Sequence, residues 1–168
     1  MYIVDREKQR SLIREMKQLR QNTKNYEVYY HHSYTNQMWK SFFPQVNGDQ
    51  LGPKLLRHEP VPTDVEKRLS ICLGESAPEN AIGLGMEWSA KPELWPDIIQ
   101  SLETHYTQYN RTQMKLFLDN LELDESNVAT PVQSKKQMNA TSSVSEDLIG
   151  DLIWRCRKVR MKRFFVLG

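Results

Sequence analysis

Few side chains in this sequence stand where they could do chemistry, and each has a structural reading beside the chemical one. His58 next to Glu59 has the makings of an acid/base pair, but no nucleophile and no oxyanion-binding loop accompanies it, so it reads as surface chemistry. His31 and His32 are adjacent, and on a strand adjacent residues point to opposite faces, so the two cannot serve one metal from that element. His105 lies among Ile, Leu and Tyr at helical spacing and reads as a packed histidine. Cys72 and Cys156 fall on apolar helical stripes, which predicts buried reduced thiols rather than a disulfide. A phosphate-cradling glycine loop, a nucleophile elbow, a Cys-x-x-Cys pair and a His pair at i and i+4 with a glutamate are all missing from the sequence. The expectation is therefore a protein that works without a catalytic centre, cofactor or metal; an enzyme built from scattered residues remains the last of three alternatives.

Charge is distributed more tellingly than it is totalled. The formal net charge is only +2, but residues 1–25 hold seven Lys/Arg against three Asp/Glu, and residues 155–163 hold six basic residues and no acid. From Asp64 to Glu125 the order reverses, with twelve acids and five bases. Basic ends flanking an acidic middle predict either terminal helices that pack on the middle through complementary fields, or an acidic surface open to a basic partner.

The elements that must carry these residues follow from periodicity. A chain of 168 residues is one domain, long enough to bury a core without disulfides. Residues 4–21 predict a first helix, capped by Asp5 and striped by Leu12, Ile13, Met16 and Leu19, so that residues 1–22 form the N-terminal helical unit. Residues 26–43, YEVYYHHSYTNQMWKSFF, predict an aromatic β-hairpin that turns near Tyr34–Gln37, with a continuing helix as competitor. Residues 44–62 carry Asn47-Gly48, Gly52-Pro53, Pro60 and Pro62 and predict loop.

Residues 62–123 predict a stack of short antiparallel helices. Thr63 with Glu66, and Ser76 with Glu79, have capping-box spacing. Val65, Leu69, Cys72 and Leu73 stripe the first helix, and Ile82, Met86 and Ser89 mark the second, whose Gly83 and Gly85 imply close packing. Trp95, Ile98, Ile99, Leu102, Tyr106 and Tyr109 stripe the third, and Met114, Phe117, Leu118 and Leu121 the fourth. Residues 124–144 are polar and aperiodic and predict an exposed loop. Residues 145–164 predict a last helix buried through Leu148, Ile149, Leu152, Ile153, Cys156 and Val159, with acids at its start and bases at its end. No apolar run is long enough to span a membrane and the N-terminus lacks the apolar stretch of a signal peptide, so a cytoplasmic protein with no membrane partner is expected.

The order of the aromatic hairpin with Trp39, Leu55-Leu56-Arg57 before Pro60 and Pro62, LSICLGESAPENAIGLGMEWS and a further amphipathic helix resembles small bacterial immunity-type proteins with HEAT-like helical pairs, over roughly residues 26–122. The resemblance implies a non-catalytic protein that binds and blocks a cognate toxin. The expected fold is mainly α (α+β), a HEAT-like stack with a small hairpin, and the acidic stack suits a basic toxin domain because complementary charge speeds and selects association. Candidate partner contacts are Glu75, Glu79, Glu87 and Glu93 with the aromatic Trp88. The second alternative is a nucleic-acid-associated protein that uses the basic first and last helices, with Arg155, Arg157, Lys158, Arg160, Lys162 and Arg163 on phosphates.

Overall fold

Strand-forming runs prove to dominate the first sixty residues. The computed structural model describes residues 1–47, 50–74, 76–123 and 146–165. In chain order they form β1 (Tyr2–Ile3), α1 (Arg6–Arg14), β2 (Lys17–Asn22), β3 (Glu27–His32), β4 (Gln37–Phe42), β5 (Val46–Asn47), β6 (Gln50–Leu51), β7 (Leu55–Glu59), α2 (Val65–Gly74), α3 (Pro78–Ser89), a 3-10 turn at Pro92–Leu94, α4 (Trp95–His105), α5 (Arg111–Leu121) and α6 (Glu146–Phe165). The aromatic hairpin forms as β3 and β4, with Tyr30 opposite Trp39. Asn36 supplies a turn φ of 53°, which Asn tolerates better than most residues.

That hairpin is the middle of something larger. β1, β7, β4, β3 and β2 lie in that order in one five-stranded antiparallel sheet, and β5 and β6 form a separate ribbon. The chain is α+β with a substantial sheet, and the expected HEAT-like stack of helical pairs is corrected accordingly. The helices also do not stack in sequence order: α3 packs chiefly on α5, and next on β1.

Two boundaries explain the miss. The helix expected over residues 4–21 stops at Arg14, because Lys17–Asn22 satisfies the outer edge of β3 by backbone pairing, and nonlocal hydrogen bonds override helix propensity. Leu12, Ile13 and Met16 still pack where the stripe put them, but Leu19 is half-exposed on the new strand. Residues 55–59, expected as loop, form the strand between β1 and β4. Leu55 and Leu56 point to opposite faces and both are fully buried, so the alternation that betrays a half-exposed strand is absent.

The register assigns the two faces. Tyr30, Trp39 and Leu56 meet Leu12 and Ile13 of α1, and Met16 just beyond it, on one side. Tyr2, Phe42 and Leu55 join the main core on the other, which α2 to α6 complete through Leu69, Leu84, Trp95, Phe117 and Leu152 among others. Gly83 and Gly85 let α3 sit between these layers. A Cβ on Gly83 would fall 2.6 Å from the Tyr2 ring, and one on Gly85 would fall 2.7 Å from the Phe117 carbonyl oxygen, so the close packing inferred from the glycines is present on both sides of the helix.

The helical half otherwise follows its periodicity. Asp64, rather than Thr63, accepts the Lys67 N–H at the start of α2, and no side-chain cap bond forms at the start of α3. Asn110 caps α5 through the Thr112 and Gln113 N–H groups. Cys72 is buried, Cys156 is partly so, and neither is in a disulfide. Leu148 is exposed rather than buried, while Ile149, Leu152 and Val159 do face inward. The polar segment 124–144 lies outside the described residues. Among the described residues no helix is long and apolar enough to cross a membrane.

Candidate functional site

The acidic stretch supplies two different environments, and the first lies inside the protein. Glu87 on α3 is almost completely buried. Its Oε2 accepts from Arg57 Nη1 of β7 at 2.5 Å, Arg68 Nη2 of α2 at 2.6 Å and the Tyr2 hydroxyl of β1 at 2.8 Å; its Oε1 accepts from Lys91 Nζ at 2.9 Å. Arg57 also forks onto Glu59 Oε1, with contacts of 2.9 and 2.5 Å. Arg68 Nη2 additionally donates to the Tyr2 oxygen, and the guanidinium lies 5.4 Å from the Trp88 ring and 5.7 Å from that of Tyr2. Four elements converge on one carboxylate, which joins the sheet to the helices.

Ionisation follows from this geometry. Burial alone would raise the Glu87 carboxyl, but the charges of Arg57, Arg68 and Lys91 and the Lys91 hydrogen bond outweigh it and hold the group down at about 2. Burial, reinforced by Glu87, pushes Tyr2 well above the ordinary phenol range, so its hydroxyl remains a donor. Burial opposes the charge on Arg57, but Glu87, Tyr2 and Glu59 more than compensate and strengthen it. The cluster is a locked ionic joint with no proton poised to move near neutral pH.

Several other acids are also engaged by the basic ends. Glu79 pairs with Lys8 and accepts from the Val4 N–H at 2.7 Å; burial works against its ionisation, but these bonds depress it. Arg155 forks onto Glu103 with a shortest contact of 2.7 Å, and Arg160 pairs with Asp119. The Arg155 hydrogen bond lowers Glu103 and raises Arg155 in return. Helices α1 and α6 are thus pinned to the acidic middle by complementary charge.

These pairings reassign the candidate partner contacts. Glu87 and Trp88 are buried and have no surface to offer a partner, which corrects both assignments. Glu79 is committed to Lys8 and the Val4 N–H. Glu93 is exposed, and Glu75 lies outside the described residues. Sequence reasoning also missed Tyr2, Arg57 and Arg68. One signal was available, since Arg68 falls four residues before Cys72 on the apolar side of its helix, where an unpaired guanidinium would be costly.

The second environment is an open groove of about 600 Å³ between the start of α2 and the length of α4, from Leu94 to His105. Asp64, Glu66 and Asp97 supply its carboxylates, and neither Lys nor Arg lines it. All three occupy helix starts, where the backbone dipole favours negative charge, and one groove joins them although Glu66 lies beside the end of α4 and Asp97 is at its start. Val65 and Leu94 provide apolar wall, and His105 Nε2 stands 3.3 Å from Glu66 Oε1.

On α6, Arg155 and Arg160 are committed to Glu103 and Asp119, while Arg157 and Lys162 are exposed and Lys158 is partly so. Arg163 is helical, but its side chain lies outside the described residues. Beneath them Cys156 is pushed by burial to about 11, well above the range of a reactive thiol. Among the described residues no three His, Cys, Asp or Glu side chains are grouped to hold a metal ion. No family model, no curated protein and no solved structure matches the chain.

Proposed function

We propose that this chain is a non-catalytic protein-binding module, an immunity-type inhibitor that occludes a basic bacterial toxin domain through the acidic groove between α2 and α4. The observation that carries the reading is the groove itself: three carboxylates around an apolar wall, with neither Lys nor Arg in its lining, while other acids among the described residues pair with Lys or Arg of the same chain. Glu93, exposed one residue before Leu94, extends the negative rim. A Lys or Arg side chain of a partner would lay its alkyl stem on Val65 and Leu94 and its charge among Asp64, Glu66 and Asp97. The inhibition is steric and requires no residue of this chain to react.

The test begins with capture of the partner from lysate of the source cells and its identification by mass spectrometry. Association of that purified partner is then measured with the wild type and with the triple variant Glu66→Lys/Glu93→Lys/Asp97→Lys. The expected outcome is a basic partner whose association rate falls by about tenfold or more at low salt, with a smaller difference at high salt. An unchanged rate in a variant with an unchanged melting curve would remove the groove from the interface.

A further inference from the structure

The outward face of α6 has a feature that its packing does not explain. The helix already buries Ile149, Leu152 and Val159, and Arg155 and Arg160 anchor it to α4 and α5. Trp154 and Met161, seven residues apart and so two turns along the same stripe, are nevertheless 52% and 51% exposed. Lys158, between them, holds its Nζ 3.3 Å from the centre of the Trp154 ring. Arg157 and Lys162 flank the stripe, and none of these three cations joins an ion pair among the described residues. The helix therefore carries a second apolar stripe, which faces solvent and is ringed by positive charge held in no salt bridge among the described residues.

The chemistry of that stripe selects its partner. Three exposed or half-exposed cations outside any salt bridge call for a polyanion, and an indole with a cation already on its face calls for a flat ring that can take the cation's place. Single-stranded nucleic acid meets both requirements, whereas a duplex keeps its base faces stacked inside, and an anionic lipid surface offers charge without a ring. We propose that the outward face of α6 binds single-stranded nucleic acid, with one base stacked on Trp154 and with Arg157, Lys158 and Lys162 neutralising phosphates. This surface lies on a different helix from the α2–α4 groove and shares no residue with it.

Tryptophan emission makes the test specific. The other three tryptophans, Trp39, Trp88 and Trp95, are 9%, 1% and 0% exposed, so an aqueous quencher reports chiefly on Trp154. The full-length protein is titrated with a 20-nucleotide oligothymidylate, following both quenching and the anisotropy of a labelled oligomer over a range of salt. Saturable quenching is expected, with log K falling against log salt at a slope of about −2, as neutralisation of three phosphates on a single strand gives. Trp154→Ala should weaken binding about tenfold without changing that slope, while Trp154→Phe retains most of the affinity because any aromatic ring stacks. The double variant Arg157→Gln/Lys162→Gln should reduce the slope magnitude by about 1.4 and keep the quenching. These positions are at the surface, so the melting curves should be unchanged. The proposal is overturned if the oligomer does not bind at low salt, if duplex binds as well as single strand, or if Trp154→Ala binds like the wild type. It is likewise overturned if phosphatidylserine vesicles quench Trp154 while the oligomer does not.

Discussion

Glu87 and the carboxylates of the α2–α4 groove come from the same acidic stretch, yet they serve opposite ends. Glu87 is surrounded by Arg57, Arg68, Lys91 and Tyr2 and holds the sheet to the helices. Asp64, Glu66 and Asp97 stand open to solvent around a groove that neither Lys nor Arg lines. In sequence the two kinds look alike. They separate because a side chain's role depends on whether the fold brings compensating charge to it, and here β7 and α2 bring two arginines to one glutamate only. An acid-rich segment is therefore a poor map of an acidic surface.

The sharpest way to break the contrast is to neutralise one member of each kind. Glu87→Gln leaves Arg68 buried without a counter-ion and Arg57 with Glu59 alone, and should cost about 3–5 kcal/mol, enough to unfold a marginally stable domain, as read by urea denaturation. The same joint sets the response to acid. Because the folded carboxyl is held at about 2, below its unfolded range, its stabilisation is fully present above roughly pH 4.5 and is lost as the pH falls toward 2. The loss should be about 3 kcal/mol for this group, in the same direction as the smaller contributions of the depressed Glu79 and Glu103. An acid titration of stability that is equally steep in wild type and Glu87→Gln would show that the joint is not its source.

A smaller effect is expected where the joint's scaffold is tightest. Gly85→Ala sets a methyl 2.7 Å from the Phe117 backbone oxygen, so α3 and α5 must separate, at a cost of about 1–3 kcal/mol in thermal or denaturant unfolding. Stability equal to wild type would mean that the two helices slide without penalty. The smallest effect belongs to the groove: Glu66→Gln with Asp97→Asn should change stability by no more than about 0.5 kcal/mol per site, because both side chains are exposed. A loss as large as that of Glu87→Gln would make the groove acids structural and erase the distinction.

Much of the helical half was legible before any coordinates. Trp95, Ile98, Ile99 and Leu102, and Met114, Phe117, Leu118 and Leu121, occupy the buried faces that a 3.6-residue period assigns them. The aromatic hairpin and the close packing at Gly83 and Gly85 were equally readable. The rest of the sheet was not. Lys17–Asn22 has no strand pattern, since all six residues are exposed, and Leu55–Glu59 is buried at Leu55, Leu56 and Arg57 without alternation. Both are strands only because β3 and β4 offer them unpaired backbone edges. Of the candidate contacts, Glu93 is on the surface as the acidic composition suggested, while Glu87 and Trp88 are inside because α3 is covered on two sides, by β1 and by α5.

Local chemistry thus decided where helices and turns begin and which face of each helix is apolar, because caps, glycines and periodicity act over a few residues. Tertiary structure alone decided that five strands close into one sheet, that Glu87 becomes an internal counter-ion, and that the acids at two helix starts share a groove. Those outcomes require pairs such as Tyr2 with Glu87, or Arg155 with Glu103, which stand 85 and 52 residues apart. Backbone pairing and charge compensation at such separations depend on the whole chain's path, and no local pattern encodes that path.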